Sequence, residues 1–370
     1  MWCAPDAVAM LHGNTSATRH FVSGCTKPDL TALKLTMAHD DGIVTFLNVG
    51  ANKGYEIAHF LEVFAPERNT SGQQWHAAIR EHASEKRSGY LRYSSLGACS
   101  DGKQKRASRG RNVVLGHRAV HVHAFEMMAS TATMLSSVVN ASGVSDMVSI
   151  HNVAVSNATD AVHIPGSGKM GDERNAICHL GGPGRWRLRD TACGWRGSRL
   201  VPSISLDDFL DRQRLHGLIF QVTIDTEGWD SFVIDGLQRT LRSRRIRLLE
   251  FEYTALGMWP RFSLEGVIKR LSSEEAGGYQ CFWQGKSLLP ASPPCWQPSF
   301  EIGRWSNLIC ATEPAVIAGL TALAQVGYER RTTRTSTARI ASAGKRLQRA
   351  QSARHSTSNQ RSWQAVAGRS

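Results

Sequence analysis

Two acidic residues in the second half of the chain could take part in proton transfer. Residues 217–224 read GLIFQVTI, which predicts a buried strand, and Asp225 and Glu227 come directly after it. A carboxylate at the end of a strand can accept a proton from a hydroxyl group, as a general base does. We expect Asp225 to be the base or to orient a substrate, and Glu227 to assist it or to bind a divalent cation. The alternative is that one of them only caps the following helix.

A glycine-containing turn earlier in the chain could hold a nucleotide-like ligand. Residues 46–54 read FLNVGANKG, in which Gly50 and Gly54 follow an apolar run and precede a helical pattern. Such a turn presents backbone N–H groups and a helix N-terminus to a ligand. A dinucleotide fingerprint has glycine where this chain has Asn52, because the second glycine lets the backbone approach a pyrophosphate. The asparagine therefore favours a ligand without a pyrophosphate, such as S-adenosylmethionine (SAM), over a nicotinamide dinucleotide.

An acid at the end of the next predicted strand would complete this site. Glu126 follows the run AVHVHAF and could accept hydrogen bonds from ribose hydroxyls. It lies 72 residues after Gly54, where about 20 would be usual, because a basic insertion intervenes. The alternative is an ordinary strand-to-helix turn in which Glu126 caps the helix.

Other polar residues near predicted strand ends are weaker candidates for the same pocket. His151 and Asn152 could approach the adenine edge of a cofactor, although a buried histidine with satisfied hydrogen bonds is the alternative. Glu250 and Glu252 alternate along one predicted strand and so share a face, from which one could line the pocket.

Alternating strand and helix patterns predict the elements that must position these residues. The expected fold is a doubly wound α/β sheet of seven strands with helices on both faces, and ligands of such sheets bind at the carboxyl ends of the strands. The predicted strands are 43–49, 119–125, 147–155, 217–224, 246–253, 279–283 and 307–311. The predicted helices lie near 53–64, 127–141, 205–213, 229–243 and 263–275.

The net charge of +13 is concentrated in two segments. Residues 329–370 contain ten Lys or Arg against one acid, and residues 66–118 contain eleven against four. Both segments are poor in aliphatic residues, so neither is expected to bury enough apolar surface to fold. The predicted organisation is an N-terminal extension (1–40), a catalytic domain (41–325) with a basic insertion (66–118) and a long functional loop or lid (165–200), and a disordered basic tail (326–370).

Composition and spacing disfavour several classes of protein. No run of 18 or more apolar residues predicts a membrane span, and the first 20 residues show no targeting pattern, so a soluble cytoplasmic protein is expected. The eight cysteines form no C-x-x-C pair and are expected to be mostly reduced. The histidines fit no zinc spacing, and the serines form no G-x-S-x-G elbow, so no metal site and no hydrolase are predicted.

Four segments in this order resemble the FkbM family of SAM-dependent methyltransferases. They read FLNVGANKGYEIAHFLEV, VHAFEMMASTATMLSSVVNASGVSDMVSIHNVAVSNATDAVHI, VPSISLDDFL and FQVTIDTEGWDSFVIDGL, and the resemblance extends from Ile43 to Ala311. It implies a class I, Rossmann-like methyltransferase fold, SAM as methyl donor and, typically, O-methylation of a hydroxyl on a sugar or other small molecule. The chain departs from the family at Asn48, where an acid is usual. Asparagine brings no charge to face the methionine ammonium, so weaker SAM binding is expected.

Two other functions remain open. A methyltransferase-like fold with little catalytic activity could bind RNA or another polyanion through the basic tail, as the uncharged Asn48 suggests. Alternatively, a nucleic acid could be the methyl acceptor, attracted by the charge of the tail. Outside the two basic segments, however, acids outnumber Lys and Arg, which favours a small hydroxylated acceptor.

Overall fold

The computed structural model describes residues 2–4, 43–82, 119–166, 170–172, 175–178, 198–254, 257–284, 288–301, 306–326 and 329. The chain divides into two compact units, Met1–Leu323 and Ala324–Ser370, and all described strands belong to the first. Most of the predicted N-terminal extension, the insertion from residue 83 onward, much of the long loop and nearly all of the basic tail lie outside the described residues.

Eleven strands in the described residues form two sheets. In chain order they are β1 (Val44–Val49), β2 (Val120–Phe125), β3 (Val148–His151), β4 (Ala154–Val155), β5 (Asp160–Pro165), β6 (Ser198–Ile204), β7 (Ile219–Ile224), β8 (Ile246–Tyr253), β9 (Gln280–Gln284), β10 (Leu288–Pro290) and β11 (Ser306–Ala311). The larger sheet has the order β10-β9-β11-β8-β7-β1-β2-β3, and the smaller one has the order β4-β6-β5. Five adjacent strands of the larger sheet, β3, β2, β1, β7 and β8, are parallel. Beyond them, β11 is antiparallel to β8, β9 to β11, and β10 to β9.

Helices connect these strands. They are α1 (Tyr55–Phe64), α2 (Gly72–His82), α3 (Ala129–Ala141), α4 (Leu206–Arg212), α5 (Asp230–Asp235), α6 (Gln238–Arg242) and α7 (Leu264–Ser272), with 3₁₀ turns at Pro66–Arg68, Trp259–Arg261, Glu274–Ala276 and Pro298–Phe300. Residues 314–326 are also helical. None of the helices in the described ranges is long and apolar enough to cross a bilayer.

The core lies along the central parallel strands. Every residue of β1 and of β7 is buried, as expected for strands with neighbours on both sides and helices above them. Phe60 of α1 stacks on Phe46 of β1 with ring centroids 4.5 Å apart. These buried strands hold their carboxyl ends in fixed positions.

The sheet confirms a mixed α/β fold and corrects two details of the prediction. Each predicted strand contains a strand of the structure, but the large sheet has eight strands rather than seven, because β10 pairs with β9. The predicted strand 147–155 is divided between both sheets as β3 and β4. The predicted helix 229–243 is also divided, into α5 and α6. Gly236 lies between them, where a Cβ would overlap the carbonyl oxygen of Ser156.

The first part of the predicted basic insertion belongs to the fold. Residues 66–82 form a 3₁₀ turn and α2, from which Trp75 and Ile79 are fully buried. The Trp75 indole donates a hydrogen bond to the carbonyl of Lys53 at 2.8 Å. These two apolar residues are four positions apart, so they share one helix face although the segment is otherwise polar.

The cysteines correct the prediction of reduced thiols. Cys281 and Cys310 form a disulfide between β9 and β11, where they are direct partners in the antiparallel register. Cys3 forms a second disulfide with Cys295, 292 residues away, and Cys178 is also disulfide-bonded. The wide spacing of cysteines in the sequence concealed these pairs, because pairing depends on strand register and not on separation along the chain.

Candidate functional site

A cleft that is open to solvent lies at the carboxyl ends of β1, β2 and β7. The order of the sheet places β1 between β2 and β7, so the direction of winding reverses here, as is typical of ligand sites in α/β sheets. The residues that line the cleft are Val49, Gly50, Asn52, Phe125, Glu126, Met127, Thr131, Val153, Ala154, Val155, Asp172, Asn175, Ile177, Asp225, Thr226 and Glu227.

Backbone hydrogen bonds tie the three strand ends together. The N–H groups of Gly50 and Ala51 both donate to the Phe125 carbonyl, at 3.1 and 2.9 Å, and the Asp225 N–H donates to the Val49 carbonyl at 3.0 Å. Gly50 has a φ of +79°, and a Cβ there would overlap the carbonyl oxygen of Asp225. Glycine is therefore required sterically at position 50. The N–H groups of Gly50 and Ala51 stabilise the fold, whereas the sequence had suggested that the N–H groups of this turn contact a ligand.

Glu126 is held rigidly at the wall of the cleft. Its residue is 7% exposed, and its Oε2 and Oε1 accept hydrogen bonds from the N–H groups of Asn52 at 3.0 Å and Met128 at 2.7 Å. The Asn152 side-chain amide donates to the Glu126 carbonyl at 2.8 Å. Burial raises the pKa of Glu126 to about 7, and the backbone hydrogen bonds oppose that increase. Each carboxyl oxygen retains acceptor capacity beyond its one backbone bond.

Asn52 contributes a second acceptor to the same wall. Its φ of +43° is in the left-handed region, which asparagine tolerates better than most residues. Its side-chain Oδ1 is buried and accepts no hydrogen bond in the structure. A buried acceptor beside a cleft is an expected partner for a ligand donor.

The turn after β7 presents Asp225, Thr226 and Glu227 on the opposite side of the cleft. Asp225 is exposed, and Glu227 adopts a φ of +54°, followed by Gly228 at +92°. The Met258 N–H donates to the Gly228 carbonyl at 2.8 Å. A left-handed non-glycine residue at such a place is the kind of local strain that occurs at functional sites.

Asp230 supports this turn and was not predicted as a site residue. It is fully buried at the start of α5. Burial raises the pKa of Asp230 to about 8, and the charge of Asp225 adds to the increase. Its hydrogen bonds could not be inferred from sequence, because an acid at the start of a helix commonly caps only that helix.

Residues 170–172 and 175–178 contribute a third wall of the cleft. The Gly171 N–H donates to the Thr131 hydroxyl at 3.1 Å, and a Cβ on Gly171 would come within 3.1 Å of Lys53 Cε. Asp172, Asn175 and Ile177 line the cleft. These residues belong to the loop 165–200, which the sequence predicts to be functional. Its function stays a prediction.

Four predicted cofactor residues do not line the cleft, namely Asn48, Gly54, His151 and Asn152. Asn48 is 2% exposed within β1, and its Oδ1 accepts no hydrogen bond. A Cβ on Gly54 would come within 2.6 Å of Leu135 and 2.9 Å of Trp75, so this glycine permits close helix packing. Asn152 acts indirectly, through the Glu126 carbonyl.

His151 packs in an aromatic cluster and does not itself line the cleft. Its ring stacks on His123 and Phe125 and meets the edge of Phe209 in α4. Burial lowers the pKa of His151. Glu250 and Glu252 are likewise buried and absent from the cleft lining.

Among the residues that the structure describes, no group of three or more His, Cys, Asp or Glu side chains is arranged to hold a metal ion. The polar side chains that line the cleft include carboxylates and other hydrogen-bond acceptors. Glu126 and Asn52 offer acceptors on one side, and Asp225 and Glu227 offer exposed or partly exposed carboxylates on the other.

Comparisons with known proteins agree with this architecture. The family model described as the Methyltransferase FkbM domain matches residues 48–281, which include the turns after β1, β2 and β7. None of the curated proteins compared with the chain matches it. A crystal structure of an uncharacterized protein from Burkholderia thailandensis is similar with 9% identity and a TM-score of 0.21, over 87% of this chain and 70% of that one, which is too low to support an argument.

Proposed function

The chain belongs to the FkbM methyltransferase domain family, and from this premise we propose that it transfers a methyl group from SAM to a hydroxyl of a sugar or other small molecule. Membership makes it a methyltransferase and implies a methyl donor. The observation that carries the choice of SAM is the pairing of Glu126 with Asn52 at the cleft. Together they present acceptors suited to ribose hydroxyls. Asn52 stands at the position where a dinucleotide-binding turn has the glycine that lets a pyrophosphate approach the backbone.

The residues present fit SAM. The cleft is open to solvent and is lined by both polar and apolar residues, as is usual for cofactor sites. The buried Asn52 Oδ1 lacks a hydrogen-bond partner, and Glu126 lies beside it. When bound, SAM supplies an electrophilic methyl group on a positively charged sulfur.

The turn after β7 supplies the base in this proposal. Asp225 accepts the proton of the acceptor hydroxyl as the oxygen attacks, and Glu227 orients the acceptor by hydrogen bonding. Both line the cleft on the side away from Glu126. Met127 and Ile177 give the same cleft an apolar part.

Isothermal titration with SAM and S-adenosylhomocysteine tests the cofactor. We expect both to bind the intact protein with a Kd below about 1 mM, and Glu126→Ala to bind more weakly. Glu250→Gln is the matched control, since Glu250 is equally buried but does not line the cleft. If neither ligand binds in this range, the cofactor assignment is wrong.

Labelled SAM incubated with fractionated metabolites tests the acceptor. We expect label to enter a neutral, hydroxylated fraction and to remain there after mild base treatment, because ethers resist hydrolysis whereas esters do not. Label in nucleic acid, or in base-labile esters, would contradict O-methylation of a small hydroxylated acceptor.

A further inference from the structure

We propose that Asp230 is a positioning residue, which holds the turn 226–229 so that Asp225 and Glu227 line the cleft. The inference rests on the proposed function, because it assumes that these two residues act on a methyl acceptor. Asp230 itself is fully buried and is not among the cleft-lining residues. Its role must therefore be deduced from the groups that it contacts.

The Asp230 side chain joins the ends of two neighbouring strands. Its Oδ2 accepts hydrogen bonds from the Thr226 hydroxyl at 3.0 Å and from the Gly228 N–H at 3.3 Å, both in the turn after β7. Its Oδ1 accepts from the Glu252 N–H of β8 at 3.1 Å. Since β7 and β8 are parallel neighbours, one side chain fastens the turn to the adjacent strand.

The turn needs this attachment because its backbone is strained at a residue that lines the cleft. Glu227 has a φ of +54°, a conformation that persists only where the surroundings enforce it. Asp230 binds the amide of Gly228, which follows Glu227, and the Met258 N–H binds the Gly228 carbonyl at 2.8 Å. Gly228 is thus held at both its amide and its carbonyl.

A carboxyl group suits this attachment better than other helix-capping side chains. Complete burial of an acid is costly, and it raises the pKa of Asp230 to about 8 with a further contribution from the charge of Asp225. Serine or asparagine would cap a helix without that cost. Asparagine, however, would direct an NH₂ group toward at least one of the three donors. The hydrogen bonds from the Glu252 N–H and the Thr226 hydroxyl oppose the increase in pKa and favour the ionised form of Asp230, in which both oxygens accept hydrogen bonds.

Asp207 provides a matched control, because it makes the same set of contacts away from the cleft. It is buried and accepts hydrogen bonds from the N–H groups of Arg239 and Thr240 and from the Thr240 hydroxyl. Neither Asp207 nor these partners line the cleft. Asp207→Asn should therefore reproduce the loss of stability in Asp230→Asn without its effect on the turn.

Hydrogen exchange of the full chain, read by mass spectrometry in the peptide 225–235, is the first test. We expect exchange there to accelerate about tenfold or more in Asp230→Asn and to stay as in the wild type in Asp207→Asn. Equal acceleration in both variants, or none in Asp230→Asn, would overturn the proposal. If Asp230→Asn does not fold, Thr226→Val removes one donor, and unchanged exchange in that variant would count equally against it.

Methyl transfer from labelled SAM to the fraction that the wild type methylates is the second readout. We expect Asp230→Asn to lower kcat by about 10- to 100-fold while the Kd for SAM changes by no more than a few-fold, and Asp207→Asn to keep kcat within about twofold. An unchanged kcat in Asp230→Asn would overturn the proposal. Failure of the wild type to bind SAM would refute the proposed function instead, and the exchange result would still decide whether Asp230 holds the turn.

Discussion

The carboxylates of the cleft differ in how they are held, and this difference separates their expected tasks. Glu126 is 7% exposed, and both its oxygens accept backbone hydrogen bonds, so its position is fixed before a ligand arrives. Asp225 is exposed at the end of β7, where it can exchange a proton with a bound hydroxyl. We expect the first to act in cofactor binding and the second in turnover.

Kinetics of two isosteric variants test this separation. Asp225→Asn should lower turnover by about 10² to 10⁴, the usual contribution of a general base, and leave SAM affinity within a few-fold. Glu126→Gln should weaken SAM binding by about 1 to 3 kcal/mol, because a charged acceptor is lost, with less effect on turnover at saturating SAM. Calorimetry and initial rates measure the two effects. Equal losses of affinity and turnover in both variants would mean that the residues only maintain the fold.

Part of the candidate site follows from strand positions and part does not. Gly50, Asn52, Glu126, Asp225 and Glu227 were proposed because the carboxyl ends of parallel strands meet at one edge, and the structure brings all five to the cleft. Thr131 of helix α3 and the cleft residues Asp172, Asn175 and Ile177 could not be proposed in this way. They reach the cleft through tertiary packing, which leaves no periodic signal in the sequence.

Gly50 allows a test of the steric requirement at the centre of the cleft. Gly50→Ala should cost about 1 to 2 kcal/mol for its left-handed backbone, and about 1 to 3 kcal/mol more because the methyl group overlaps the Asp225 carbonyl. Gly143→Ala is the control, since Gly143 has a φ of +66° but nothing within 4 Å of an added Cβ. Chemical denaturation measures both. Equal destabilisation of the two variants would show that backbone strain alone matters at Gly50.

At the scale of elements, a histidine pair connects β2, β3 and α4. His123 Nδ1 lies 3.1 Å from His151 Nε2, and Phe209 of α4 meets both rings edge-on. Burial lowers the pKa of His123 to about 4, with the nearby His151 and His121 adding to the effect. The folded protein therefore keeps this pair neutral at pH values where free histidine accepts a proton.

This pair predicts a loss of stability in acid. Between pH 6.5 and about 4 the unfolded state binds more protons at His123 than the folded state does, so the free energy of unfolding should fall as pH decreases through this window. His123→Gln removes the titrating group and should flatten that part of the curve. Urea denaturation at a series of pH values measures the slope. An identical slope in the variant would locate the titration elsewhere.

The limits of prediction at this scale have physical causes. Sequence patterns located every strand of the large sheet except β10, and five of these strands are parallel neighbours in a buried core. The patterns did not separate β3 from β4, since β-branched and apolar residues recur on both sides of His151 and Asn152. Helix α2 was missed because only Trp75 and Ile79 of its eleven residues are buried, which leaves a polar composition.

At the scale of the whole molecule, disulfides connect distant parts of the chain. The Cys3–Cys295 bond joins residues that are 292 positions apart, and the Cys281–Cys310 bond joins β9 to β11. The predicted cytoplasmic location was based on the lack of a targeting pattern and of a membrane span, and it took no account of disulfides. Disulfides persist mainly in oxidising compartments, so we expect the native protein to occur in one.

Loss of the strand-to-strand disulfide should destabilise the fold measurably. The loop between Cys281 and Cys310 spans 29 residues, so its removal is expected to cost about 3 to 4 kcal/mol through the entropy of the unfolded chain. The double variant Cys281→Ala/Cys310→Ala, compared with the wild type by denaturation without reductant, measures this cost. Alkylation of the unfolded, unreduced protein from its native source is the control. Quantitative labelling of Cys281 and Cys310 there would show that the thiols are free and that neither the bond nor the oxidising compartment applies.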